Sequence, residues 1–120
     1  MELNAKELAI DIAKILDSKK AENIKVLHIG TLTILTDYFI IATGNSSTQV
    51  KALAEEVEFQ LGQKGIEPHH AEGRRTDNWI LLDYGYAVVH VFYKESREFY
   101  NLERLWADAT EVDGKEWETQ

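Results

Sequence analysis

The segment Ala42-Thr43-Gly44-Asn45-Ser46-Ser47 joins an apolar run to a helical one. Free N–H groups at such a helix start can hold a phosphate. This loop lacks the lysine and spacing of a Walker loop and the glycine set of a dinucleotide loop. Ser46 or Ser47 as an ordinary N-cap is the favoured reading. The order strand, Gly/Ser loop, helix also fits a nucleotidyl-transfer site. That chemistry needs two or three carboxylates converging on a divalent metal, two of them two positions apart on a strand. Asp83 stands alone, followed by Tyr84, Gly85 and Tyr86, and the next apolar run carries only His90. The clamp for a triphosphate is missing, so this catalysis is not expected.

Metal and nucleophile chemistry fare no better. His69 and His70 are adjacent, which points their side chains apart in an extended segment, and no spaced set of further ligands is visible. The chain has no cysteine, hence no disulfide, thiolate metal site or thiol nucleophile. No Gly-x-Ser-x-Gly elbow occurs either. The expectation is a protein without cofactor, metal or catalytic residues.

The most informative residues lie in a hairpin. Trp79-Ile80-Leu81-Leu82 and Ala87-Val88-Val89-His90-Val91-Phe92 flank the turn-compatible Asp83-Tyr84-Gly85-Tyr86. Alternation puts Trp79, Leu81 and Asp83 on one side of the first strand, and Val88, His90 and Phe92 on one side of the second. Trp, Asp, Tyr and His together combine apolar anchors with polar tips, the composition of interface hot spots. Composition alone equally allows Trp79 and Phe92 to be core, with His90 a buried histidine.

These residues need elements to hold them. Asn4-Ala5-Lys6-Glu7 reads as a capping box, and Leu8, Ile12, Ile15 and Leu16 behind it share one helical face. Ile24–Ile29 and Tyr38–Ala42 read as strands, the second apolar on both faces as a central strand would be. Val50, Leu53, Ala54, Val57 and Leu61 keep helical spacing, with Gly65 as the stop. Helical periodicity returns from Glu95 to Ala109. The order α-β-β-α-β-β-α predicts one α/β domain over residues 1–109, a single mixed β-sheet covered by helices. Residues 110–120 read as a flexible acidic tail in which Trp117 alone invites docking.

Thirteen Lys and Arg against 21 Asp and Glu give a net charge of −8, half of it in the last thirteen residues. Such a balance argues against phosphate-backbone binding as the main activity. It suits a basic partner, although solubility alone is the stronger explanation of charge taken by itself. No apolar run approaches the roughly 20 residues of a membrane span, and the start of the chain lacks the blocks of a signal peptide. A cytoplasmic location is expected.

Three blocks together carry a resemblance. Asp37-Tyr38-Phe39-Ile40-Ile41-Ala42-Thr43-Gly44, with Ser46, Ser47, Gln49 and Val50, is the first; Glu72-Gly73 and Trp79 to Gly85 form the second. The third runs through Val88-Val89-His90-Val91-Phe92, Glu95, Arg97, Tyr100-Asn101-Leu102-Glu103 and Leu105-Trp106-Ala107-Asp108. In this order and spacing the chain resembles the ribosomal silencing factor family (RsfS, also called Iojap). The family usually carries an acidic residue after the Gly of Asp-Tyr-Gly, where this chain has Tyr86. A carboxylate that touches the partner would be missed there; one that only shapes the turn would not. The Gly30–Thr36 stretch, with no polar cluster beyond its threonines, is also less typical.

The resemblance implies a nucleotidyltransferase-like fold without the catalytic carboxylates, and a binding protein rather than an enzyme. It implies binding to large-subunit ribosomal protein L-fourteen, a block on joining of the small subunit, and a homodimer when free. Large-subunit assembly, the role of organelle members, is the alternative, with a nucleotide-binding enzyme behind it. Trp79, Leu81, Asp83, Tyr84 and His90 are the expected contact residues, with Glu95 at the rim.

Overall fold

Asn4 opens α1 (Ala5–Ser18) as the capping box predicts. Its side chain accepts from the Glu7 N–H at 2.8 Å, and Glu7 Oε1 accepts from the Asn4 amide at 2.7 Å. The computed structural model describes residues 4–73, 75 and 78–118. After α1 come β1 (Glu22–His28), β2 (Tyr38–Gly44), α2 (Ser47–Gln63), β3 (His70–Glu72), β4 (Trp79–Asp83) and β5 (Ala87–Tyr93). The chain then forms α3 (Lys94–Tyr100), α4 (Leu102–Leu105), β6 (Thr110–Glu111) and a 3-10 turn at Gly114–Glu116.

The described strands form one mixed sheet in the order β3-β4-β5-β2-β1-β6. β2 and β5 run parallel at its centre, because α2, β3 and β4 carry the chain back between them; the other pairs are antiparallel. Both central strands are buried on both faces, which explains their unbroken apolar runs. α1 and α2 lie together on one face. Leu8, Ile12, Leu16, Leu53, Val57 and Leu61 pack there onto Val26, Ile40, Ile80, Leu82, Val89 and Val91. α2 ends at the predicted Gly65, at φ +79°, with the Ile66 N–H donating to Leu61 C=O at 2.9 Å in a Schellman motif.

Two regions depart from expectation. The single helix predicted from Glu95 to Ala109 breaks at Asn101, which sits in the left-handed region at φ 45° and divides α3 from α4. Asparagine tolerates that conformation better than most residues. The expected flexible tail instead continues the fold as far as Glu118. β6 pairs with β1, covering its outer edge, and Val112 and Trp117 join the helix-side core, Trp117 with only 4% exposure. Acidic composition hid two apolar anchors that are enough to dock the segment.

Candidate functional site

The sheet face turned away from α1 and α2 collects the hairpin residues. β4 contributes Trp79, Leu81 and Asp83, set directly opposite Phe92, His90 and Val88 of β5. β2 adds Phe39, Ile41 and Thr43 beside Val88, His90 and Phe92. Strand alternation thus gives the sidedness predicted from the sequence.

His90 lies near the middle of this face and is 3% exposed. Trp79 Nε1 donates to His90 Nδ1 at 3.0 Å, and Phe39 meets the imidazole edge-on with ring centres 4.7 Å apart. Acceptance at Nδ1 puts the proton on Nε2. Nε2 has no hydrogen-bond partner among the described residues. Burial pushes the pKa down to about 4, so the ring is neutral at pH 7. A histidine so enclosed holds its neighbours in place; it is not placed to exchange protons with a substrate.

Cover over the face is uneven. Phe92 stacks on Trp79 with centres 4.8 Å apart, and Tyr100 of α3 leans on the same indole at 4.8 Å. Trp106 meets Phe39 edge-on at 5.6 Å, and Leu102, Trp106 and Ala109 close over Leu27, Ile29, Ile41 and Phe92. Trp79, Leu81 and Asp83 on the β4 side stay half-buried.

Arg97 fixes the covering helices. Its Nε and Nη2 donate to Glu103 Oε2 at 3.3 and 3.2 Å, and Nη1 donates to Thr43 Oγ1 at 2.7 Å and to the Asn23 carbonyl. One guanidinium therefore joins α3 to α4, to the end of β2 and to β1, where Asn23 has φ 48°.

The expected contact residues divide. Trp79, Leu81 and Asp83 share the open half of the face, and Glu95 is exposed on α3. His90 shares the face but lies beneath the surface. Tyr84 is corrected: it follows the last residue of β4, points into the helix-side core and is 4% exposed, so it offers a partner no surface. Asp83 Oδ1 accepts from the Gly85 N–H at 2.8 Å, closing the hairpin turn with Gly85 at φ +88°. The Tyr86 carbonyl accepts from the N–H groups of Asp37 and Tyr38 at 3.2 Å each, while its side chain projects into solvent. The turn therefore closes without any demand on the side chain at 86.

The 42–47 loop has structural work of its own. Ser46 caps α2 by accepting from the Gln49 N–H at 3.1 Å, and Gln49 Oε1 accepts from the Asn45 N–H at 2.6 Å. A Cβ at Gly44 would stand 2.9 Å from Val50 Cγ2, so that glycine serves the close approach of strand and helix. An open groove of about 730 Å³ lies nearby, lined by Lys25, Lys94 and Arg97 but also by Asp17, Glu98, Glu103, Glu111 and Glu118. With carboxylates in excess and Arg97 engaged, it does not suit a triphosphate. His70 Nε2 lies 3.3 Å from Glu72 Oε1, whereas the His69 ring rests against Gly85. Among the described residues no three His, Cys, Asp or Glu gather as a metal site would require. No helix among them is long and apolar enough to cross a membrane.

Residues 2–120 match the family described as "Ribosomal silencing factor during starvation" (RsfS). The chain belongs to the ribosomal silencing factor family. It is 41% identical over 111 residues to "Ribosomal silencing factor RsfS" of Bacillus subtilis, covering 92% of this chain and 94% of that one. It is 34% identical over 105 residues to "Protein Iojap, chloroplastic" of Zea mays, covering 88% of this chain and 46% of that longer one. A crystal structure from Chromobacterium violaceum is similar at a TM-score of 0.79 and 37% identity, with 89% of this chain and 88% of that one aligned. A Bacillus halodurans structure is similar at 0.75 and 39%, with 90% and 95% aligned. The Bacillus subtilis relative is named as a silencing factor, the maize one as Iojap.

The RsfS blocks take on physical meaning in the fold. The first builds the central strand and the cap of α2; the second and third build the open face and its pinned helices. Phe39, Arg97, Tyr100 and Trp106 complete that face and were absent from the expected contact set. The regular spacing of Phe99, Leu102 and Trp106 read as one helix and hid the break that turns Leu102 and Trp106 across the sheet.

Proposed function

We propose that this protein binds large-subunit ribosomal protein L-fourteen through the open half of the sheet face and so blocks joining of the small and large subunits, repressing translation under nutrient limitation. The pinned indole of Trp79 carries the reading. A half-buried Trp held by a hydrogen bond from below and by rings on two sides loses little freedom when it docks, which is what a hot spot requires. Leu81 and Asp83 are its neighbouring contacts and Glu95 lies at the rim. His90 acts through Trp79.

The net charge of −8 favours fast approach to a basic ribosomal protein. A bound mass of 13.8 kDa on the joining surface excludes the other subunit by bulk alone, with no covalent step. The protein works in the cytoplasm and is a homodimer when free, which light scattering reads directly. Pelleting of the purified protein with isolated large and small subunits across a salt series tests the reading. Selective binding to the large subunit that weakens with salt is the expected result; absence of binding to either subunit at low salt refutes it.

A further inference from the structure

α3 and α4 cover part of the sheet face, yet they leave large apolar side chains outside. Phe99 is 81% exposed, Leu105 76% and Tyr100 51%. Three such residues within seven positions are not scattered surface apolars. The break at Asn101 turns α4 back, so that Leu105 and Arg104 line one groove of about 610 Å³ with Phe99 and Tyr100. Phe99 meets Tyr100 edge-on at 5.1 Å, and Tyr100 lies 4.8 Å from Trp79. An aromatic path therefore runs unbroken from the hairpin out onto the helix pair. Arg97, buried beneath, holds that pair against β2 and β1.

We propose that Phe99, Tyr100 and Leu105 form the second half of the docking surface, receiving an apolar projection of the same basic ribosomal protein that Trp79 engages. This rests on the function proposed above. Two features of the patch select that occupant. It is continuous with Trp79 through Tyr100, so one partner covers both without a gap. Its edge is mixed, with Glu95 and Glu98 beside Lys94 and Arg104, but it belongs to a chain of net charge −8, which attracts a basic partner. A second copy of this chain, itself at −8, is the poorer occupant.

The test uses the full chain with Phe99→Ala and Leu105→Ala combined. Both side chains are exposed, so the unfolding midpoint stays near that of the native protein. Affinity for isolated large subunits falls about tenfold or more, the loss typical of truncating two anchors. If the double variant melts early, Leu105→Ala alone replaces it, with about a threefold loss expected. Binding within twofold of native, while Trp79→Ala weakens it, overturns the extended surface and leaves the hairpin site standing. Native binding by Trp79→Ala as well brings down the underlying reading instead. Conversion of a dimer to a monomer with subunit binding unchanged assigns the patch to self-association and also overturns the proposal.

Discussion

Trp79 and His90 are joined diagonally across the β4–β5 pair. Trp79 faces Phe92 and His90 faces Leu81, yet the indole N–H reaches over to Nδ1 of the imidazole at 3.0 Å. Diagonal neighbours on one face of a strand pair are within reach of long aromatic side chains. The bond satisfies two polar atoms that would otherwise lie unpaired in an apolar layer. It also fixes the orientation of the one tryptophan left half-open on the sheet.

Trp79→Phe keeps most of the ring contact with Phe92 and Tyr100 but removes the donor. His90 Nδ1 is then buried without a partner, at a cost of about 1–3 kcal/mol. Urea unfolding of the native and variant proteins at pH 7 should show this as a lower midpoint with an unchanged slope. An unchanged midpoint would mean that water replaces the indole and that the bond fixes nothing.

Stability should fall in mild acid because of His90. Its folded pKa of about 4 lies below its ordinary 6.5, so the unfolded chain binds the extra proton as pH drops through that window. The stabilising effect of the neutral ring is complete above pH 6.5, is lost progressively on the way to pH 4 and changes no further below it. Over this window the loss is about 3 kcal/mol from this group. Unfolding free energies measured at pH 7, 6, 5 and 4.5 should follow that curve, and His90→Gln should flatten it relative to native.

Arg97 holds the covering helices, and losing it should cost more than any exposed ion pair. Arg97→Ala leaves Glu103 and Thr43 without their donor, a change of about 3 kcal/mol for a buried pair. Arg97→Lys should recover little, because an ammonium cannot span Glu103, Thr43 and the Asn23 carbonyl together. Lys64→Ala, which breaks a 2.8 Å pair to Asp11 at the surface, should cost under about 1 kcal/mol. Limited proteolysis of Arg97→Ala should cut first between α3 and β6. Equal stability of Arg97→Ala and Lys64→Ala would deny the pinning role.

Two glycines with similar backbone angles should respond differently to alanine. Gly73 has φ +87°, and a Cβ there would fall 1.9 Å from the Trp79 carbonyl oxygen, so β4 itself must shift. Gly65 has φ +79° with open space around it, leaving only the backbone cost of about 1 kcal/mol. Thermal melts should place Gly73→Ala well below Gly65→Ala, with weaker subunit binding because Trp79 is displaced. Matching melts would show that the backbone at Gly73 itself yields freely.

The parts of the fold legible in the sequence were those governed by local periodicity. Alternation in Trp79–Asp83 and Ala87–Phe92 gave the sidedness of the hairpin, and the spacing of Leu8, Ile12 and Leu16 gave the buried stripe of α1. Tyr84 was misplaced because its polar tip was weighed above alternation, which sets 84 in step with Ile80 and Leu82 on the helix side, where the structure has it. The role of Arg97 was not legible, since its partners Asn23 and Thr43 lie 74 and 54 positions away. Trp117 was obscured for a similar reason: the core it enters is assembled from α1, α2 and the sheet, all earlier in the chain. His90 could be read as contact or core from composition, and only the surrounding rings decide that it is core.

Subunit joining tests the account most directly. Purified large subunits are incubated with saturating protein, small subunits are added, and the formation of whole ribosomes is followed by light scattering. The account predicts that native protein suppresses the rise and that Trp79→Ala, folded but missing its anchor, restores it. A full rise in the presence of saturating native protein would contradict the proposed block on joining.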